Sequence, residues 1–259
     1  MHVLVVLLAL VQHEDELSVR LLWARPVVRT DSREYDAGVF SSALHLQDDA
    51  GLPERALVGG LELETGAWRF SIFAARMEGD ETLASPLAFE EEQFPAGVRL
   101  HTTFEAGWFE AVYRLKLPVD STNVVDVRAI LAVNASRFSF DFKGGGTEAH
   151  EAHPALWPVP AAGVEGRLAL TRSLSMSARF LSTRVRYVNP FHEDGGSDSR
   201  IVFDFIRAEA GVEWSPGGGW SLGVGIHRFT NYLRDTSDED RHRVWFDATS
   251  LAFEIAVEF

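Results

Sequence analysis

The chain has 259 residues, a length that all-β folds commonly use as one unit, with 46% hydrophobic residues and a formal net charge of −14. That charge excludes nucleic acid, whose phosphates need a basic surface, and docking on an anionic leaflet through basic residues. No apolar run reaches the ~20 residues of a membrane-spanning helix. There is no cysteine, so closure of a sheet, not disulfides, must supply the stability.

The longest apolar run, Val3 to Val11, has the length of a signal-peptide h-region. Polar His13, Glu14, Asp15 and Glu16 follow at once. Residues 1–12 are expected to be a cleaved signal and residues 13–259 a single domain. No Lys or Arg precedes the run, and no small-x-small cleavage site follows it. The competing reading is a buried first strand of a soluble protein.

Strands dominate the remainder of the chain. Leu17, Val19, Leu21 and Trp23 share one face opposite Ser18, Arg20 and Ala24, a period of two. Arg29 to Pro53 reads as a first outer loop, with Val39 to Leu46 a possible strand inside it. Leu61 and Leu63 mark a strand joined through Thr65-Gly66 to a second, whose apolar face is Trp68, Phe70, Ile72 and Ala74. Phe109, Ala111, Tyr113, Leu115 and Leu117 alternate with Glu110, Arg114 and Lys116. After a turn around Pro118 to Thr122, Val125, Val127, Ala129, Leu131 and Val133 alternate with Asp126, Arg128 and Asn134.

Gly144-Gly145-Gly146 and Pro154 to Pro160 read as one loop. Strands over Val164 to Leu170 and Leu174 to Tyr187 flank Thr171-Arg172-Ser173. Ile206, Ala208, Ala210, Val212 and Trp214 oppose Arg207, Glu209, Gly211 and Glu213. Ser215-Pro216-Gly217-Gly218-Gly219 is a tight turn. Trp220, Leu222, Val224 and Ile226 come next, opposite Ser221, Gly223, Gly225 and His227. A charged loop over Arg234 to His242 precedes the last strand, where Leu251, Phe253, Ile255, Val257 and Phe259 alternate with small or polar residues. Short turns alternating with longer loops are the pattern of a transmembrane barrel. The expected fold is all-β: an antiparallel up-and-down transmembrane β-barrel of about ten strands, with eight or twelve open.

Trp68, Tyr113, Trp214, Trp220 and Phe259 fall at strand ends on the apolar face, as interfacial aromatics do. The apolar alternation ending on a C-terminal phenylalanine resembles the assembly signal of bacterial outer-membrane β-barrels. That resemblance implies that the barrel assembly machinery reads Leu251 to Phe259. It places the chain in the outer membrane, among lipid and lipopolysaccharide.

Chemistry-bearing residues are few. Glu78, Asp80, Glu81, Glu90 to Glu92, Glu193, Asp194, Asp198, Asp235, Asp238, Glu239 and Asp240 crowd the expected outer loops without matching a calcium-loop motif. His150 and His153 with Glu148 and Glu151 could suit zinc, but their loop spacing presets no geometry. His227, Thr230, Asn231, His242 and Asp247 are the one grouping from which a hydrolase could be assembled, and packing is the plainer role. The polar face carries Arg69, Glu110, Arg114, Lys116, Asp126, Arg128, Arg167, Arg207, Glu209, Glu213 and Glu254. In a narrow lumen these must pair. No catalytic, cofactor or metal residue is therefore assigned. The expected protein is a monomeric envelope component or a narrow, plugged pore. An outer-leaflet hydrolase and a soluble lipocalin-like binder are the alternatives.

Overall fold

The computed structural model describes residues 17–24, 27–36, 43–54, 56–89, 92–118, 124–153, 159–188, 200–236 and 240–259. The expected signal segment lies outside these. The chain forms a closed antiparallel barrel of ten strands, as the alternation predicts. In chain order the elements are β1 (Leu17–Ala24), β2 (Val27–Asp36), β3 (Ala43–His45), α1 (Leu46–Asp49), β4 (Leu57–Thr65) and β5 (Trp68–Thr82). A small hairpin, β6 (Leu87–Phe89) and β7 (Glu92–Phe94), comes next. Then come β8 (Arg99–Leu117), β9 (Val125–Gly144), β10 (Thr147–His153), β11 (Val159–Ala169), β12 (Leu174–Val188), β13 (Arg200–Trp214), β14 (Trp220–Thr236) and β15 (Asp240–Glu258).

Closure runs through the first and last strands. Val19 opposes Val257 and Trp23 opposes Phe253, and the Phe259 amide donates to the Leu17 carbonyl at 2.9 Å. β2 keeps the register of β1 on β15: Ala24 opposes Ala252, and three residues on Val27 opposes Thr249. The two are thus one barrel strand. Opposed pairs traced once around the barrel from Leu17 pass through Thr65, Trp68, Tyr113, Leu131, Ala162, Ser182, Ile206, Thr230 and Asp247. They return to Arg29, twelve residues beyond Leu17 on that same strand. Such a stagger requires the strands to tilt, as barrel closure does by ~35–45°.

The lower end carries the strand termini and the short turns. The other end carries strands far longer than the turn residues suggest. A strand crosses a bilayer in ~9–11 residues, whereas β8 has 19, β9 has 20 and β15 has 19. Three expected loops are corrected here. Arg29 to Asp36 is strand, and Ala43–His45 with α1 comes after it within the expected first loop. Between Gly146 and Pro160 the chain makes β10, paired along β9, and enters β11 at Val159. The charged segment from Arg234 is mostly ladder, with Arg234 opposite Arg243 and Thr236 opposite Arg241. Polar composition hid these strands because neighbouring backbone supplies their hydrogen bonds whatever the side chains are.

Outward positions on the lower half form an apolar belt: Leu131, Phe180, Ile206, Val224, Ile226, Leu251 and Phe253 are all exposed. Trp68 and Trp214 stand at its lower edge, each beside an aromatic neighbour, with Trp68 4.9 Å from Tyr113 and Trp214 5.7 Å from Trp220. Higher up, Tyr232 and Trp245 pair at 5.7 Å. If the belt faces hydrocarbon, Val224→Arg should cost ~2–4 kcal/mol near the midplane. Gly223→Arg points into the lumen, where Glu254 lies 3.3 Å from the added Cβ position, and should cost less. Refolding stability in lipid vesicles measures both. Equal losses, or the reverse order, would mean the faces are assigned the wrong way round.

Candidate functional site in the barrel lumen

The inward positions divide into two layers. The lower layer is ionic and arises from the lower strands, where every second residue is forced inward while the outward ones are apolar. Arg20 reaches Glu254 at 2.7 Å and Glu213 at 3.1 Å. Arg69 reaches Glu64 at 2.6 Å and Glu165 at 2.9 Å. Arg114 reaches Glu64 at 2.8 Å and donates to the Gly66 carbonyl at 3.0 Å. At the lower mouth Arg167 holds Glu213 at 2.7 Å and Arg128 holds Asp126 at 2.6 Å.

Above these, the centre of the barrel is a tighter knot. Arg207 contacts Glu110 at 2.8 Å and Glu62 at 3.1 Å, and also bonds Glu209. Arg179 lies 2.8 Å from Glu209 and within 3.8 Å of both Glu62 and Glu110. The Ser71 hydroxyl donates to Glu62 at 3.0 Å. Both arginines and both Glu62 and Glu110 are almost wholly shielded from solvent. His227 sits between Glu254, 3.1 Å from Nε2, and Glu209, 3.4 Å from Nδ1. A cavity of about 510 Å³, polar and bounded by these groups, opens the lower half of the lumen.

The upper layer is aromatic. Arg207 stacks on the Phe73 ring at 4.5 Å and so joins the two layers. Trp108 lies 4.7 Å from Phe229 and 5.0 Å from Phe246; Phe104 lies 5.0 Å from Phe140 and 5.9 Å from Phe246; Phe205 lies 5.3 Å from Phe229. Over them the chain folds inward: Leu46 of α1, Phe89 of β6 and Phe94 of β7 are fully buried, and Phe89 meets Phe142 at 4.5 Å. This cap is pinned by close backbone approach. A Cβ on Gly79 would fall 2.0 Å from the Gly51 carbonyl oxygen, and Gly51 itself has φ +68, which glycine adopts without strain.

The expected charge pairing is present, with different partners in part. Lys116 is exposed at the rim. Glu62, Glu64, Glu165 and Arg179 are central, and none is on the polar face read from sequence. Their signal was available: Glu62 and Glu64 alternate with Leu61 and Leu63, and Arg179 lies between Ala178 and Phe180. The hydrolase grouping is dispersed. His227 and buried Asn231 face the lumen. Thr230 and Asp247 lie on the alternate, outward face and bond each other at 2.9 Å, with Arg228 3.5 Å from Asp247. The side chain of His242 lies outside the described residues. His150 pairs with Asp141 at 2.7 Å and Glu148 with Lys143 at 3.5 Å. No group able to hold a metal occurs among the described residues.

No protein-family model matches the chain, and no curated relative matches it in sequence. Solved structures similar to it include the outer-membrane protease OmpT of Escherichia coli, at 10% identity and TM-score 0.46, covering 93% of this chain and 97% of that one. Neisserial surface protein A is similar at 11% identity and TM-score 0.32, covering 94% and 97%. OprG of Pseudomonas aeruginosa is similar at 12% identity and TM-score 0.33, covering 95% and 96%.

The ionic knot yields a stability test. Removing one partner of a buried ion pair leaves an uncompensated charge, at about 3–5 kcal/mol. Arg207→Ala should therefore lower unfolding stability by that order, while Arg76→Ala, on an exposed pair with Glu105, should change it by under ~1 kcal/mol. Denaturant unfolding of the refolded barrel reads both. Equal effects would mean that water screens the centre of the lumen.

Proposed function

We propose that the chain is a monomeric outer-membrane barrel with a sealed lumen, an envelope component whose upper strands stand as a rigid platform outside the membrane. The observation that carries this reading is the stacking inside the barrel: a cross-linked ionic knot beneath a packed aromatic layer beneath an inward-folded cap. A conducting pore needs a continuous polar path, and burying Phe104, Phe138, Phe140 and Phe246 across the lumen works against one. The exposed apolar belt with tryptophans at its edges supports a membrane setting. A soluble lipocalin-like barrel would turn that face inward. Against an outer-leaflet hydrolase stands the placement of His227 and Asp247 on opposite faces of the wall.

Planar-bilayer recording tests the seal. The pure protein should show no steady conductance, and a stable, large open channel would make it a porin instead. The terminal strand provides a second test. Phe259 projects from the barrel wall at 76% exposure, available for a partner to read. Phe259→Asp should leave little protein in the outer membrane of expressing cells, and unchanged outer-membrane levels would remove the assembly-signal role.

A further inference from the structure

The outer wall has a depression at the upper edge of the apolar belt. On β5, β8 and β9 the last small or apolar outward residues are Ala74, Gly107 and Ala135; the next outward residues are Arg76, Glu105 and Arg137. Gly59, Ala74 and Gly107 oppose one another across β4, β5 and β8, and the same row ends at Arg137 on β9. Below that row stand Ile72 and Phe109, and to its side Leu57, 68% exposed. The wall is therefore bare along one row, and where that row meets the charged rim an open groove of about 460 Å³ is lined by Leu57, Ala74, Arg76, Glu105, Gly107 and Arg137.

Packing does not explain the bareness. A Cβ added at Gly59 or Gly107 would meet nothing within 4 Å, so neither glycine is needed for a close approach. The charges at the rim differ in kind. Arg76 is committed to Glu78 and to Glu105, at 2.8 Å from the latter, and Glu105 is thereby neutralised. Arg137 is exposed and has no ion-pair partner among the described residues. On a chain of net charge −14, a guanidinium with no ion-pair partner among the described residues, beside such a groove, is a specific place for an anion, and phosphate suits its forked donors.

We propose that this groove holds one lipid A molecule of the outer leaflet, an acyl chain on the Ala74–Gly107 floor and a phosphate on Arg137. The proposal rests on the membrane reading above. The groove lies towards the long-strand end of the barrel, the outer-leaflet side in that reading. Lipid A carries its phosphates on a rigid sugar directly above its chains, which matches a fixed cation at the end of a fixed groove. A glycerophospholipid headgroup is flexible and gains less from such an arrangement.

The test uses the full barrel refolded in dodecyl maltoside and titrated with purified lipid A, with binding read by native mass spectrometry. Wild type should bind one lipid A. Arg137→Ala should weaken binding at least tenfold by removing the phosphate contact. Gly107→Leu should do the same by filling the groove, and because its side chain enters open space the barrel should still fold. Arg184→Ala, which removes an outward arginine paired with Asp204 at 3.3 Å, should bind as wild type does. Phosphatidylglycerol should bind at least tenfold more weakly than lipid A. Wild-type affinity in both Arg137→Ala and Gly107→Leu would overturn the site, and equal binding of phosphatidylglycerol would overturn its specificity for lipid A. Heat-modifiable gel mobility of the same samples separates the two failures. A folded, detergent-requiring barrel that binds no lipid A disposes of the groove alone, whereas a chain soluble without detergent disposes of the membrane reading.

Discussion

The constraint on which the rest depends is that each long strand presents two different exterior surfaces, apolar below and polar above, without changing register. Side chains alternate across a strand with a period of two, so a continuous ladder keeps one parity inside from end to end. On β8 the inward residues are Arg114 and Glu110 low in the barrel, and Trp108, Phe104 and Leu100 higher up. The outward residues run the opposite way, from Leu115 and Phe109 to Glu105 and His101. On β13 the inward face changes from Glu209 and Arg207 to Phe205 and Phe203. On β15 it changes from Glu254 to Ala248 and Phe246. The apolar face changes sides halfway up while the backbone continues undisturbed. The lower half thus obeys the rule of a membrane barrel and the upper half the rule of a water-soluble one.

This inversion makes the central knot the joint between two ways of filling a barrel. Below it, outward apolar burial is supplied by the surroundings, and the interior can hold charge only by compensating it. Above it the outer wall is polar and the apolar residues are buried inside, where the rings meet in edge-to-face, tilted and stacked pairs. Arg207 belongs to both regimes, with its guanidinium bonded among Glu62, Glu110 and Glu209 and stacked on Phe73. Its charge is distributed among several carboxylates contributed by β4, β8 and β13. The knot therefore ties together strands that are not neighbours in the sheet and fixes the cross-section of the barrel where its filling changes.

The same inversion explains how far the sequence is legible. Strand count and faces can be read wherever outward residues are apolar and their neighbours charged, as in Leu251 to Phe259 or Ile206 to Trp214. They become illegible above the belt, where the alternation weakens or changes phase. Glu78, Asp80 and Glu81 resemble a loop by their charge, yet they continue β5 opposite Thr103, His101 and Leu100. Of the lumen, Arg207, Glu209 and Glu110 are visible as polar partners on alternating strands. Arg179 carries a weaker signal, between Ala178 and Phe180 but on a face shared with Ser175 and Ser177. The cap is invisible for a different reason: Leu46, Phe89 and Phe94 are local apolar residues in short segments, and only their tertiary contact with Phe142 and the rings beneath gives them a role.

An ion-paired interior has a consequence for where recognition can occur. The cavity of the lower lumen is lined by charges that already have partners, so an ionic ligand entering it competes with existing ion pairs. The outer wall differs because its surroundings are mobile and its side chains need not interlock. A bare row such as Gly59, Ala74 and Gly107 persists there at no packing cost, since nothing in the fold would fill it. Arg137 likewise stands there without an ion-pair partner among the described residues. The features that give the barrel its rigidity thus leave the outer wall, at the upper edge of the apolar belt, as the surface with room for the proposed recognition.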